Sequence, residues 1–104
     1  MTRSRRWVRA AIFCAGFAAL PTIAFGYAGE ELALRARVSI TEARAIALKT
    51  VPGDITDEEL ETEEGGSGLR YTFNIKQGET TYEVGIDAQT GVVLENIVED
   101  TGRH

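Results

Sequence analysis

From Leu69 to Ile75 the chain alternates apolar and polar side chains, with Leu69, Tyr71, Phe73 and Ile75 set against Arg70, Thr72, Asn74 and Lys76. Tyr82, Val84 and Ile86 then alternate with Thr81, Glu83 and Asp87. Period two is the spacing of a half-buried strand, so these residues predict a β-hairpin with one apolar face. A two-residue turn at Gln77-Gly78 places Phe73 opposite Tyr82, Tyr71 opposite Val84 and Leu69 opposite Ile86, and sets Lys76 beside Glu79. Gln-Gly is a weaker turn than Asn-Gly, and a one-residue shift with a longer loop is the alternative. Upstream the period changes. Ile40, Ala43, Ile46, Ala47 and Val51 recur at spacings of three and four, which predicts a helix over about Ile40 to Val51 with Glu42 and Lys49 facing away. Ser39-Ile40-Thr41-Glu42 has the form of a capping box at its start, and Pro52-Gly53 stops it.

Between helix and hairpin, residues 54–64 carry only Ile55 and Leu60 as large apolar residues, and a weak, acidic edge strand is expected around Glu58 to Glu63. Gly65-Gly66-Ser67-Gly68 reads as a flexible turn. After the hairpin, Asp87-Ala88-Gln89-Thr90-Gly91 reads as a second turn, in which the Asp87 carboxylate accepts from an amide two residues on and Gly91 takes a positive φ. Val92 to Val98 returns as a further strand whose facing the pattern leaves open. A helix with one apolar stripe and a sheet with one apolar face each need the other as cover. The fold class is therefore α+β: one main helix on one face of a small antiparallel meander, with the other sheet face wet.

The N-terminal pattern is of another kind. Arg3, Arg5, Arg6 and Arg9 precede a stretch from Ala10 to Phe25 that is apolar apart from Gly16, Pro21 and Thr22. Such a stretch is short and interrupted for a membrane span of roughly 20 residues, and it has the parts of a cleavable secretory signal. Ala24, Gly26 and Ala28 supply small residues for cleavage, placing the mature N-terminus between Tyr27 and Gly29. Ser4-Arg5-Arg6 resembles a twin-arginine signal, but Val8 and Arg9 favour the general secretory route. Cys14 follows Phe13 rather than a small residue, so lipidation is not expected. The division that results is signal peptide 1–26, N-terminal tether or frayed helical turn 27–37, domain 38–100 and flexible tail 101–104.

Removing the signal sharpens the charge. Four of the eleven basic residues lie in it and all sixteen acidic residues lie beyond it, leaving a net charge of −9. That surface repels phosphate backbones and anionic membranes, so nucleic acid is disfavoured as a partner and no stable membrane anchor is expected after cleavage. Without Cys14 no disulfide can form, and a domain of this size sits near the lower limit for stability without staples.

Chemistry is sparse. His104 is the only histidine and the last residue, and no Cys or His pair is spaced for zinc. No catalytic, cofactor-binding or metal-ligating residue is assigned, and the chain is read as a non-enzyme with no cofactor. The acidic cluster Asp57, Glu58, Glu59, Glu61, Glu63 and Glu64 is the one candidate for a hard cation, but strand alternation sends half of it to each side, so a solvated acidic edge is expected. Tyr71, Phe73 and Tyr82 share parity with Leu69, Val84 and Ile86, which favours core packing over a ligand-stacking platform.

The order of these elements resembles the PepSY domain. The residues that carry the resemblance are Ser39-Ile40-Thr41-Glu42-Ala43-Arg44-Ala45-Ile46-Ala47-Leu48, Val51-Pro52-Gly53, Tyr71-Thr72-Phe73, Tyr82-Glu83-Val84 and Asp87-Ala88-Gln89-Thr90-Gly91-Val92-Val93-Leu94. They span about Val38 to Val98, and the final turn is the most specific piece. The resemblance implies a helix on an antiparallel meander and a role like that of PepSY units in metalloprotease propeptides and exported bacterial proteins, which restrain or regulate proteases. No protease domain follows in this sequence, so the implied partner, a protease or envelope sensor, is met in trans in the periplasm or outside the cell. The alternatives are an acidic, cation-responsive periplasmic domain and an accessory subunit of a membrane redox or signalling protein.

Overall fold

The computed structural model describes residues 26–99. The expected signal peptide and the tail from Asp100 onward lie outside the described residues. A 3₁₀ helix, Glu30–Arg35, comes first, followed by α1 (Ile40–Thr50), β1 (Asp54–Thr62), β2 (Leu69–Gln77), β3 (Thr80–Asp87) and β4 (Val93–Val98). The four strands form one antiparallel sheet in the order β1-β2-β3-β4, with α1 packed across one face.

The helix starts where the capping box sets it. The Glu42 N–H donates to Ser39 Oγ and the Ser39 N–H donates to Glu42 Oε1, both at 3.0 Å, which satisfies two amides that the helix start would otherwise orphan. Its stripe does what the spacing requires: Ala43, Ala47 and Val51 are buried, and Ile40 and Ile46 pack partly buried against them. Glu42 and Lys49 point to solvent. Beneath the helix lie Leu60 of β1, Leu69, Tyr71, Phe73 and Ile75 of β2, and Val84 and Ile86 of β3. At about 25 cal/mol per Å² of apolar surface removed from water, this single layer is the main favourable contribution to folding.

The hairpin register differs from the expected one by two residues. Phe73 faces Val84, Ile75 faces Tyr82 and Tyr71 faces Ile86, and the turn is Gly78-Glu79 between Gln77 and Thr80. Lys76 stands opposite Thr81 rather than beside Glu79, and its ammonium donates to the Gly78 carbonyl at 3.0 Å. Gly78 takes φ 68° and Glu79, like every other non-glycine residue described, does not have positive φ, which is the demand of a type II′ turn with glycine first. A Gln77-Gly78 loop would have set glycine second. Because the shift is even, every apolar side chain keeps its face.

Three further features depart from the expected picture. The acidic strand is longer than Glu58 to Glu63, running from Asp54 with a bulge between Ile55 and Asp57. The segment ahead of the helix is built into the domain: Leu60 N–H donates to Ala28 O at 2.8 Å, and Arg37 and Val38 N–H both donate to Ala88 O at 2.9 Å. Gly29, at φ 86°, lies so close to β1 that a Cβ there would overlap the Leu60 carbonyl oxygen. The far face of the sheet, finally, is not uniformly wet. Thr72 is 6 % exposed, and Arg70 and Glu83 are also buried. Gly85 has no side chain, and the Arg70 stem and Glu95 close over the space it leaves.

Candidate functional site

β1 divides its carboxylates by parity. Glu58 and Leu60 stand opposite Phe73 and Tyr71 on the helix side, whereas Asp57, Glu59 and Glu61 stand opposite Asn74, Thr72 and Arg70 on the far side. Glu58 accepts both bonds of a bidentate pair from Arg44 of α1, from Nε at 2.5 Å and Nη2 at 3.1 Å. This pair clips the helix to the edge strand at the rim of the core. With Arg44 side-chain exposure at 42 %, its net stabilisation is at the modest level of surface pairs.

On the far face one cation is surrounded by acids. Arg70 Nη1 lies 3.3 Å from Glu95 Oε1 and 3.9 Å from Glu63 Oε2, and Nη2 donates to the Glu64 carbonyl at 3.1 Å. Thr72 Oγ1 donates to Glu61 Oε2 at 3.5 Å. Across the sheet Glu83 and Glu95 share this face with Asp57, Glu59 and Glu61, because Glu83 pairs with Asn74 and Glu95 with Gly85. The face is strongly acidic, yet among the described residues no three Asp, Glu, His or Cys side chains gather closely enough to hold a metal ion.

Asp87 is tightly constrained. Its carboxylate accepts from Ser67 N–H at 2.6 Å, Ser67 O–H at 2.9 Å, Gln89 N–H at 2.8 Å and Thr90 N–H at 3.1 Å. Burial by itself raises the Asp87 carboxyl, but the bonds from Ser67, Gln89 and Thr90 outweigh it and hold the group below its ordinary 3.8. The Gln89 bond and the positive φ of Gly91, 82°, are the local turn expected from the sequence. The bonds to Ser67 are not local. They anchor the glycine-rich turn to a residue twenty positions away, so that turn is a fixed part of the site. Gly66 fits there because a Cβ would meet Asp87 and Leu94. Ser67 and Asp87 adjoin as a nucleophile and a base would, but a carboxylate held below its ordinary value is a weak base near neutral pH, and the described residues place no imidazole between them.

Tyr71 and Phe73 belong to the core, and Tyr82 packs partly buried against it. Tyr71 and Phe73 are essentially fully buried, with ring centroids 6.3 Å apart, and Tyr27 also stacks with Tyr71 at 6.5 Å. Tyr71 O–H donates to the Val38 carbonyl at 2.8 Å, and burial pushes the phenol up to about 12, with Tyr27 and Glu42 adding to the shift. Neither Tyr71 nor Phe73 keeps an exposed ring face for a stacked ligand.

A family model, peptidase propeptide and YPEB domain, or PepSY, matches residues 37–96. The chain belongs to the PepSY family. The match begins just before the capping box and ends within β4, so it takes in the helix, all three hairpin connections and the Asp87 turn. No curated protein and no solved structure matches the chain. PepSY domains are non-catalytic units of propeptide or inhibitor type, typically extracellular or periplasmic. None of the described helices is long and apolar enough to cross a membrane.

Proposed function

We propose that this PepSY protein is an exported, non-enzymatic module that restrains or regulates a protease, or an envelope sensor, in trans. The observation that carries the reading is the family match over residues 37–96, which coincides with the folded helix-and-meander unit. The chemistry of the site supports it. The Ser67–Asp87 pair is committed to holding a turn, and among the described residues the acidic far face presents charge without a converging ligand set. Contact through the sheet surface or its edge is then the means of action.

The test adds the purified protein to secreted and envelope fractions of its source cells and follows peptide cleavage. A saturable fall in one metalloprotease activity, with no cleavage by the protein alone, is the expected result. Hydrolysis by the protein itself, or unchanged rates in every fraction at saturating protein, refutes the reading. Intact-mass analysis of the exported material should place its first residue between Tyr27 and Gly29, and a mass that retains residues 1–25 refutes export by cleavage.

A further inference from the structure

The two edges of the sheet are treated differently. The outer side of β1 is met by the segment before the 3₁₀ helix, with Ala28 bridged to Glu59 and bonded to Leu60 N–H. No described strand pairs with the outer side of β4. Glu99 N–H donates to Thr81 O at 2.7 Å, and with Val98 opposite Tyr82 and Asn96 opposite Val84 the alternation of an antiparallel ladder turns the N–H and C=O of Asn96 and Val98 away from β3. β4 contains no proline or lysine, and the edge-blunting features it does have are Glu95 and the irregularity in its pairing with β3 at Gly85/Ile86, which leaves the stretch from Glu95 to Val98 regular. It is also where apolar surface is left open. Val92, Val93, Ile97 and Val98 are 54, 39, 50 and 60 % exposed, and Leu34 is the only other large exposed hydrophobic residue described. Scattered exposed apolar residues are ordinary, but here Val92 leads into the strand, Val93 and Val98 stand opposite Ile86 and Tyr82 on the helix side, and Ile97 stands opposite Glu83 on the far side, so apolar surface is open on both faces of this one edge.

Charge decides what can occupy it. Glu95, Ile97 and Glu99 lie on the same face of β4, next to Glu83 of β3. Residues 26–99 hold fifteen Asp and Glu against six Lys and Arg. A second copy pairing edge to edge would lay this acidic face against its own image, with like charges brought together. An extended segment carrying Lys or Arg at every fourth position, with apolar residues between, meets Glu95 and Glu99 with opposite charge and Ile97 and Val98 with apolar surface. We propose that β4 is a docking edge on which an extended, basic–apolar segment of a partner protein adds as a fifth antiparallel strand. The mode is β-augmentation, with main-chain bonds at Asn96 and Val98 supplying affinity and the acidic face supplying selectivity. The inference rests on the reading of the protein as a regulator acting by contact, and names the surface that makes the contact.

The probe is a capped peptide, Thr-Lys-Val-Val-Thr-Arg-Val, whose Lys-Val-Val-Thr-Arg core runs antiparallel to Glu95–Glu99. The expected result is saturable binding to the purified protein that slows hydrogen exchange at the Asn96 and Val98 amides and weakens with added salt. Asn96→Pro removes an outward donor that the ladder to β3 does not use, and should weaken binding about tenfold, the value of one lost backbone bond. A peptide N-methylated at the pairing amides makes the same test on the unaltered protein and should not bind. Equal binding of that peptide, or of one with Glu in place of Lys and Arg, overturns the proposal. So does self-association that protects Asn96 and Val98 without any peptide. Protease restraint is measured on the same samples. If wild type and Asn96→Pro restrain the protease equally, the edge is not the contact and the regulatory reading stands. If the probe docks as expected but no protease responds, the edge stands and the regulatory reading falls.

Discussion

Replacing Asp87 tests how the far end of the sheet is held. The side chain is 1 % exposed and accepts four hydrogen bonds, three of them from the backbone amides of Ser67, Gln89 and Thr90. Asp87→Ala leaves those donors without their acceptor. Each bond to a charged group contributes about 1.5–3 kcal/mol, but the two turns lie near the surface and water recovers part of the loss, so a net cost of about 3–4 kcal/mol is expected. For a domain of this size that lowers the melting temperature by about 12–32 °C. Asp87→Asn keeps one acceptor oxygen and turns an amide nitrogen toward the Ser67 turn, where donor meets donor, and should cost about 2 kcal/mol. The pH dependence separates this account from simple loss of packing. The Asp87 carboxyl is held below 3.8 in the folded state, so its stabilisation is present above that value and is lost as pH falls through the folded one. The gap between wild type and Asp87→Asn in urea melts should therefore be constant from pH 7 to about 5 and close below 3.8. A loss within about 0.5 kcal/mol for Asp87→Ala, or a gap that stays constant to pH 2, refutes the reasoning.

The other expectations concern the core and its tyrosine. Phe73→Ala should cost about 3–5 kcal/mol in denaturant melts, since the ring is fully buried under α1. Thr72→Ala, one residue away, should cost about 1 kcal/mol rather than the few tenths of a wet position, because Thr72 is covered and donates to Glu61; a cost equal to that of Phe73→Ala would contradict the one-sided core. Tyr71 holds its proton up to about 12 in the folded state, so stability should be flat below pH 10 and fall by about 2–3 kcal/mol between pH 10 and 12. In Tyr71→Phe that alkaline fall should be smaller by this amount, at a cost of about 1 kcal/mol at neutral pH for the lost bond to Val38.

What could be read from the sequence was what depends on short spacings. The capping box joins residues three apart, the helix stripe repeats at three and four, and the strands repeat at two, so each declares itself within a few residues. The hairpin register went astray by two because the apolar pattern is unchanged by an even shift, and only the turn distinguishes the alternatives. Weighing Gly78 as the first turn residue, where its positive φ is needed, would have given the observed pairing.

Long-range polar contacts left no comparable trace. Nothing in Gly65-Gly66-Ser67-Gly68 announces that Ser67 is bound to Asp87, because the partner is chosen by how β2 and β3 lie in the sheet. The same holds for the covered far face. Arg70 and Thr72 occupy polar positions of a clean alternation, and their burial follows from the bare backbone at Gly85 and the carboxylates around it, not from their own character. Binary patterning assigns a face, and the neighbours on that face decide how dry it becomes.

The strands are also unequally anchored, and this bears on how the domain can respond to a partner. β2 and β3 carry most of the core beneath α1, and β1 is fastened by Leu60, by the Arg44–Glu58 pair and by the segment at Ala28. β4 has no buried side chain and is held chiefly by its ladder to β3. Its attachment therefore draws little on apolar burial, the largest favourable contribution elsewhere in the domain. A ligand that engages the ordered strand and not the unfolded chain adds stability set by its concentration relative to its Kd, and the resulting rise in ordered population is largest where the intrinsic hold is weakest. The open strand is thus also the one with most to gain from contact, which suits a small module without disulfides whose action depends on meeting another protein.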